Sequence, residues 1–435
     1  MKISSEPKLT TDSYYEASVV RPLSRGALMS EMTADVCVVG GGLAGLSAAL
    51  ELRQRGYSVA VLEAKHTGWG ASGRNGGQVI AGLACDIAVI EKQLGFEAAK
   101  RVWNMTLEAI DLIHERRAQF KIHCDWQAGY LNGAVNAKKG RALAAWVDDM
   151  QKRYGYEQQF ISQAEVRQWI DSPKFVAMSH DPRSGHLHPL KYTLGMAKAA
   201  ESLGATICEN TAVTGISPAT ATSDAIVHSR EGSVRAKHVL LAGNVYLDNV
   251  APALKPRIMP VGTYIVASAA MDRNRAQSLI PSRAAICDTN FVLDYFRLSA
   301  DDRMIFGGRV SYSAVTPMNL APTMRERMLA VFPQLDDVAI EHAWGGFVDI
   351  TMNRAPDFGR AESLGKNVYY LQGFSGHGLA LTGLAGKLVA EAIAGNSERF
   401  DTFASLKHRA FPGGGLLRTP ALVAAMAWYR LRDRI

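Results

Sequence analysis

Three glycine-rich groups in this sequence have the residue types and spacing to hold a phosphate-bearing cofactor. The first is Gly40-Gly41-Gly42-Leu43-Ala44-Gly45, a G-x-G-x-x-G run in which Gly40, Gly42 and Gly45 are the fixed positions. Gly40 suits the tight turn out of a strand. Gly42 brings no Cβ between backbone and pyrophosphate, and Gly45 lets the following helix approach the strand. Leu43 and Ala44 then open a helix whose free N–H groups and partial positive charge attract phosphate. Glu63, about 20 residues on and followed by Ala64-Lys65, is placed to accept both ribose hydroxyls. A plain glycine turn in a βαβ unit is the competing reading, and the flanking runs together with the acid weigh against it.

The second group is Gly70-Ala71-Ser72-Gly73-Arg74-Asn75-Gly76-Gly77-Gln78. So many small residues suit a backbone that must come close to something flat or charged. Arg74 is a candidate partner for a pyrophosphate or a flavin carbonyl. A flexible linker would not be expected to embed Trp69, Arg74 and Asn75. The third is Gly373-Phe374-Ser375-Gly376-His377-Gly378, which ends a strand and opens a helix through Leu379 and Ala380. His377, between two glycines, is the best single candidate for a polar group beside a redox ring; a buried structural histidine is the alternative. Trp69, Tyr264, Tyr295, Trp344 and Phe374 are candidate pocket walls, and Tyr295 and Trp344 are equally at home in a core. Arg297, Arg303 or Arg309 could meet a substrate carboxylate, although solvation is the commoner fate of an arginine.

These loops need strands and helices to hold them. An apolar run from Asp35 to Val39, a helical segment from Leu46 to Arg55 stopping at Gly56, and a second run from Tyr57 to Leu62 predict a βαβ unit. Segments 87–118, 141–154 and 163–170 read as helical, the last with Ser162 and Glu165 as capping residues. A hairpin over 225–228 and 234–237, an apolar strand at 239–242 ending on Ala242-Gly243, and the unit around 368–394 return to the first layer. The span from Trp344 to Arg360 reads as loop-heavy. The predicted class is α/β with an α+β second domain: a Rossmann-type domain in three pieces (32–85, 186–250, 344–398) and a mixed-sheet substrate domain in two (86–185, 251–343). An N-terminal arm (1–31) and a tail (399–435) with an amphipathic helix from Leu416 to Arg430 complete the chain. That helix reads as a docking element before a membrane anchor.

At 435 residues, 48% hydrophobic and 20% charged, the chain suits a globular protein of two domains. No run of ~18 apolar residues predicts a membrane span, and Met1 to Thr10 has no signal-peptide core. Cys37, Cys85, Cys124, Cys208 and Cys287 are scattered, which predicts neither zinc nor disulfides and fits a reducing cytoplasm. The net charge of +7 is spread without dense basic tracts, so no nucleic-acid partner is expected; an RNA-binding flavoprotein is a remote alternative resting on that charge alone. Only one G-x-G-x-x-G is present. A flavoenzyme that oxidises a nicotinamide would carry a second, so the motif points to a resident flavin.

The chain resembles the D-amino-acid-oxidase-type flavoprotein family, which includes glycine oxidase and monomeric sarcosine oxidase. The resemblance is carried by Ser13-Tyr14-Tyr15, Asp35 to Gly45, Leu62-Glu63-Ala64, the 70–78 loop, Gly185-His186-Leu187-His188-Pro189, Ala242-Gly243-Asn244, Leu293-Asp294-Tyr295, Gly373 to Gly378, and Phe411-Pro412-Gly413-Gly414. It implies FAD-dependent oxidation of an amine C–N bond: hydride passes to the flavin, water hydrolyses the imine to aldehyde and ammonia, and oxygen becomes hydrogen peroxide. By position it implies that Gly40 to Gly45, Glu63, Ala64, Lys65, residues 70–78, Val213 (through its backbone at the adenine), Ala242, Gly243 and Gly376 to Ala380 bind FAD. No flavin-linking histidine lies in the 70–78 loop, so non-covalent FAD is expected.

Sarcosine-oxidase-like relatives place a carboxylate-gripping lysine where this chain has Ala380. That departure favours a longer amine, such as γ-glutamylputrescine or a related polyamine conjugate, over a small α-amino acid. A glycine or D-amino-acid oxidase, or a dehydrogenase with another acceptor, is the alternative. A primary amine, with a pKa near ~10, must shed its proton before it can release hydride, and an apolar pocket favours that by desolvation. The oligomeric state is left open.

Overall fold

A computed structural model of the protein describes residues 12–311 and 319–412, with side chains throughout except at 309–311. The expected C-terminal helix, Gly413-Gly414 and the Arg309 side chain lie outside the described residues.

Two sheets carry the fold. The first begins with Glu31–Val39, whose buried run Val36 to Val39 forms a strand covered on both faces. It pairs in parallel with Val59–Leu62 on one side and Ser233–Leu241 on the other. The sheet extends through Thr206–Cys208 at one edge and through Val368–Gln372 and Asp357–Arg360 at the other. The expected hairpin is present, with Ala225–His228 antiparallel to Ser233–Leu241. Four parallel strands therefore deliver Gly40, Glu63, Ala242 and Gly373 to one edge, the carboxyl edge where open α/β sheets bind ligands.

Helices Leu43–Gln54 and Gly378–Ile393 pack side by side against this sheet. A Cβ on Gly386 would lie 2.5 Å from Ala48 N, and Ser47 Oγ donates to the Gly383 carbonyl at 2.5 Å. The helices thus touch nearly backbone to backbone. Helix Phe96–Gln119 covers them, and its Arg116 meets Glu51 at 2.9 Å, both side chains buried.

Among the described residues the second sheet has nine strands, and eight run in the order Ile340–Ile350, Met259–Ser268, Met304–Ser311, Tyr295–Leu298, Ala285–Asp288, Gln127–Ala134, Ala177–His186, Gln78–Val79. One face packs Leu131, Tyr264, Ile286, Phe296 and Phe306 against helix Leu320–Val331. The other face looks toward the carboxyl edge of the first sheet.

Several expectations are corrected. The Trp344–Arg360 stretch is not loop-heavy: Ile340–Ile350 pairs antiparallel with Met259–Ser268 along ten positions. The boundary drawn at 344 therefore falls inside a strand of the second sheet, and Gln78–Val79, placed in the first piece, also joins that sheet through His186. Segment 87–118 is two helices, Ile87–Leu94 and Phe96–Gln119, broken at Gly95 with φ +81. Segment 163–170 forms only a short 3₁₀ turn, Val166–Gln168, although Ser162 and Glu165 make the expected cap at 2.6 and 3.0 Å.

Tyr14 and Tyr15 are buried in a short helix, Tyr14–Ala17. Arg21 donates to the Thr67 carbonyl (2.9 Å), and Arg25 pairs with Glu209, which holds the Thr67 N–H at 2.8 Å. Among the described residues no single helix is long and apolar enough to cross a membrane.

Candidate active site

Between the two sheets lies a cavity of about 340 Å³. Three backbone segments frame it: Gly42 to Ala44, Ala71 to Gln78, and Phe374 to Ala380. The first and third are helix starts. Gly42 caps Leu43–Gln54 and His377 caps Gly378–Ile393, neither with a side-chain cap, so both ends offer N–H groups to the cavity. Leu43 N–H donates to Ser72 Oγ at 2.9 Å, which ties the first loop to the second. At Gly40, φ is +115 and a Cβ would lie 2.6 Å from the Ala242 carbonyl, so the turn demands glycine.

Of the residues expected at a cofactor, Gly42, Leu43, Ala44, Ala71, Ser72, Arg74, Asn75, Gly76, Gln78, Ala242 and Gly376 to Ala380 line this cavity. Gly40, Gly45, Gly70, Gly73, Gly77 and Gly243 do not; Gly40, Gly45, Gly73 and Gly77 instead permit close approach of backbone behind the lining. Glu63, Ala64, Lys65 and Val213 also lie off the cavity. The Glu63 carboxylate is bonded locally, accepting from Gly41 N–H at 2.7 Å and Lys65 N–H at 2.9 Å. Burial pushes that carboxyl up, against the two N–H groups that lower it. Residues 208–211 run alongside, with Thr211 N–H bonded to the Glu63 carbonyl at 2.8 Å, which brings Val213 toward the same corner.

The second sheet supplies the opposite wall: Tyr130, Thr263, Cys287 and Tyr295, the stretch from Gly346 to Ile350, and Phe291 to Leu293 from the connecting loop. Of the expected walls, Tyr295 and Phe374 line the cavity. The Tyr295 ring lies over Gly76 and Gly307, where added Cβ atoms would sit 2.6 and 2.0 Å from it. Tyr264 does not line the cavity: it alternates with Thr263 and faces the other core. Trp344 is fully buried outside it, donating from Nε1 to the Arg74 carbonyl at 3.0 Å and packing edge-on to Tyr15. Trp69 packs edge-on to Tyr246 and lies under the Arg74 guanidinium, also outside.

His377 lines the cavity, with Nε2 reaching the carbonyls of Ile80 (3.3 Å) and Ala81 (3.2 Å). Two carbonyl acceptors assign the proton to Nε2, leaving Nδ1 as an acceptor. Burial pushes its pKa down, which favours the neutral ring. Arg297 is neither solvated nor at the cavity surface: Nε donates to the Gly76 carbonyl (2.7 Å) and Nη2 to Tyr15 Oη (3.0 Å). Arg303 pairs with Asp301 and Glu341.

Two lining side chains are ionisable groups that the motifs did not indicate. Asp349, at 2% exposed, accepts from Gly373 N–H at 2.5 Å, and burial pushes its carboxyl up to about 7. Arg354, at φ +59, sits over Phe291 at 4.4 Å. A lone acid in the apolar run Phe347-Val348-Asp349-Ile350 is the signal that marks Asp349 in the sequence.

Paired helix starts, glycine loops and a second-sheet wall define a flavoprotein of the two-sheet oxidoreductase class. Comparison with known proteins agrees. Residues 35–392 match the DAO family, FAD dependent oxidoreductase, and the chain belongs to that family. It is 42% identical over 427 residues to the gamma-glutamylputrescine oxidoreductase of Escherichia coli K12, covering 98% of this chain and 99% of that one. It is 40% identical to the probable oxidoreductase OrdL of Haemophilus influenzae, covering 92% of each. Among solved structures, glycine oxidase from Geobacillus kaustophilus superposes with a TM-score of 0.73 at 19% identity, covering 87% of this chain and all of the other, and shares the fold.

Proposed function

We propose that this FAD-dependent enzyme is an amine oxidase whose substrate is γ-glutamylputrescine or a related polyamine conjugate. The net reaction is amine plus oxygen plus water to aldehyde, ammonia and hydrogen peroxide. The observation that carries the substrate choice is the cavity wall at Ala380: the first turn of Gly378–Ile393 presents a methyl group at that position and not a lysine that could grip an α-carboxylate. The relative of Escherichia coli, similar over nearly its full length, supports the same choice.

In this reading Gly42 to Ala44 and Ser72 to Asn75 hold the pyrophosphate, and Glu63 and the backbone near Val213 hold the adenosine end. Gly376 to Ala380 face the flavin end. The packed glycine contacts and the two helix starts, neither capped by its own N-cap side chain, fit such a group. When bound, FAD supplies the two-electron acceptor for the C–N bond. The protein's own part is to desolvate and orient. Tyr130, Phe291, Leu293, Tyr295 and Phe374 give the amine an apolar surround, which favours its neutral form. Neutral His377 adds an acceptor at Nδ1 without adding positive charge beside an ammonium. The division into a cofactor domain and a substrate domain, and a cytoplasmic location matching five scattered thiols, belong to the same proposal.

The test is anaerobic bleaching of the purified yellow protein. Bleaching by γ-glutamylputrescine but not by D-alanine or sarcosine, with peroxide formed when oxygen returns, is the expected outcome. A flavin that no amine bleaches sinks the proposal, and bleaching without oxygen-driven recovery moves the acceptor to a quinone or another carrier.

A further inference from the structure

A second chamber of about 210 Å³ adjoins the first, and Ile80, Tyr130 and His377 line both. Its own walls are aromatic and polar: Trp103, Trp146, Tyr156, Gln158 and Asp181. Asp181 is 2% exposed. Its carboxylate accepts from Arg183 N–H (3.0 Å), Ser184 N–H (3.3 Å), Ser184 Oγ and Tyr156 Oη. Every one of these donors is neutral, and among the described residues no lysine or arginine pairs with it. Two further groups on the same walls, Trp103 Nε1 and Gln158 Oε1, are buried without a hydrogen-bond partner. An indole donor and an amide acceptor left unpaired are costly in a folded protein, and a ligand with both kinds of group would satisfy them.

We propose that this chamber binds the far end of the amine substrate, and that it selects a second ammonium group carried beside hydrogen-bonding amide or carboxylate atoms. The inference rests on the oxidase reading above. The reacting amine occupies the first cavity, and the chain passes Tyr130 and His377 into the second. There Asp181 supplies the counter-charge, and the rings of Trp103, Trp146 and Tyr156 supply faces for a cation. A buried carboxylate without a cation of its own is a binding group for one.

The experiment compares γ-glutamylputrescine with glutarylputrescine, which keeps the amide and the carboxylate and lacks only the distal ammonium. With wild-type holoenzyme, KM for glutarylputrescine is expected to be about tenfold higher or more, as for loss of one charged hydrogen-bonding partner. Asp181→Asn should erase that preference while leaving flavin content unchanged. An equal preference in both proteins overturns the proposal. Should Asp181→Asn not retain flavin, Trp146→Leu takes its place: a several-fold rise in KM confined to γ-glutamylputrescine supports the chamber, and a rise for both substrates refutes it. If no amine bleaches the flavin the oxidase reading fails on its own, and calorimetric binding of the two probes to holoenzyme still decides whether the chamber reads an ammonium.

Discussion

At the scale of single residues, Asp349 shows how a side chain outside every motif shapes the site. Its carboxylate holds the Gly373 N–H at the entry to the loop that leads to His377, and burial raises its pKa to about 7. The folded protein therefore prefers Asp349 protonated. Its favourable contribution is complete below pH ~4, the unfolded value, and is lost as pH rises through about 7, a term of up to ~4 kcal/mol. Asp349→Asn removes that term. Calorimetric unfolding at pH 5 and pH 8 should show the wild type losing more stability with rising pH than the variant; parallel pH dependence in the two would place the carboxyl at an ordinary pKa. Parity explains why other residues could not be assigned from the sequence. Thr263 and Tyr264 are neighbours on one strand, and only the register with Ile340–Ile350 decides that threonine meets the cavity and tyrosine the core. His377 was readable as a cavity residue because glycines flank it in sequence, and Tyr295 only as one of several candidate walls, while Tyr130 and Cys287 belong to no local pattern.

At the scale of elements, the short helix Tyr14–Ala17 stands behind the glycine loop. Arg297 joins the two, with Tyr15 Oη on one side and the Gly76 carbonyl on the other, and Trp344 bonds the Arg74 carbonyl nearby. Arg297→Leu leaves a buried hydroxyl and a carbonyl unpaired, at about 1–3 kcal/mol each. Flavin release, followed by the fluorescence of free FAD, should become about tenfold faster, in line with the loss of ~1.4 kcal/mol of loop order. An unchanged release rate would show that the loop keeps its shape without the brace. The elements themselves were legible where local pattern suffices: the first βαβ unit and the strand–loop–helix at 368–393 both fall close to their sequence positions. Ile340–Ile350 was hidden because Gly345, Gly346 and Asp349 interrupt its apolar pattern. Its strand character comes from pairing with residues some eighty positions earlier.

For the whole molecule, Glu51 and Arg116 tie the cofactor helix Leu43–Gln54 to the long helix Phe96–Gln119. Glu51→Gln strands a guanidinium that is 2% exposed, and denaturant unfolding should show a loss of about 3–5 kcal/mol. Replacing both residues by leucine should recover much of it; a double variant no better than the single would mean the pair acts through packing alone. The packing of Leu43–Gln54 against Gly378–Ile393 has a consequence of another kind. Both helices open into one cavity, and the near contact of their backbones at Ser47, Gly383 and Gly386 leaves no slack between them. The distance between the two positive poles is therefore built into the fold, like the jaws of a locked caliper. Such a site measures its occupant: electron-rich groups must be present in the right number and separated by the right length of molecule.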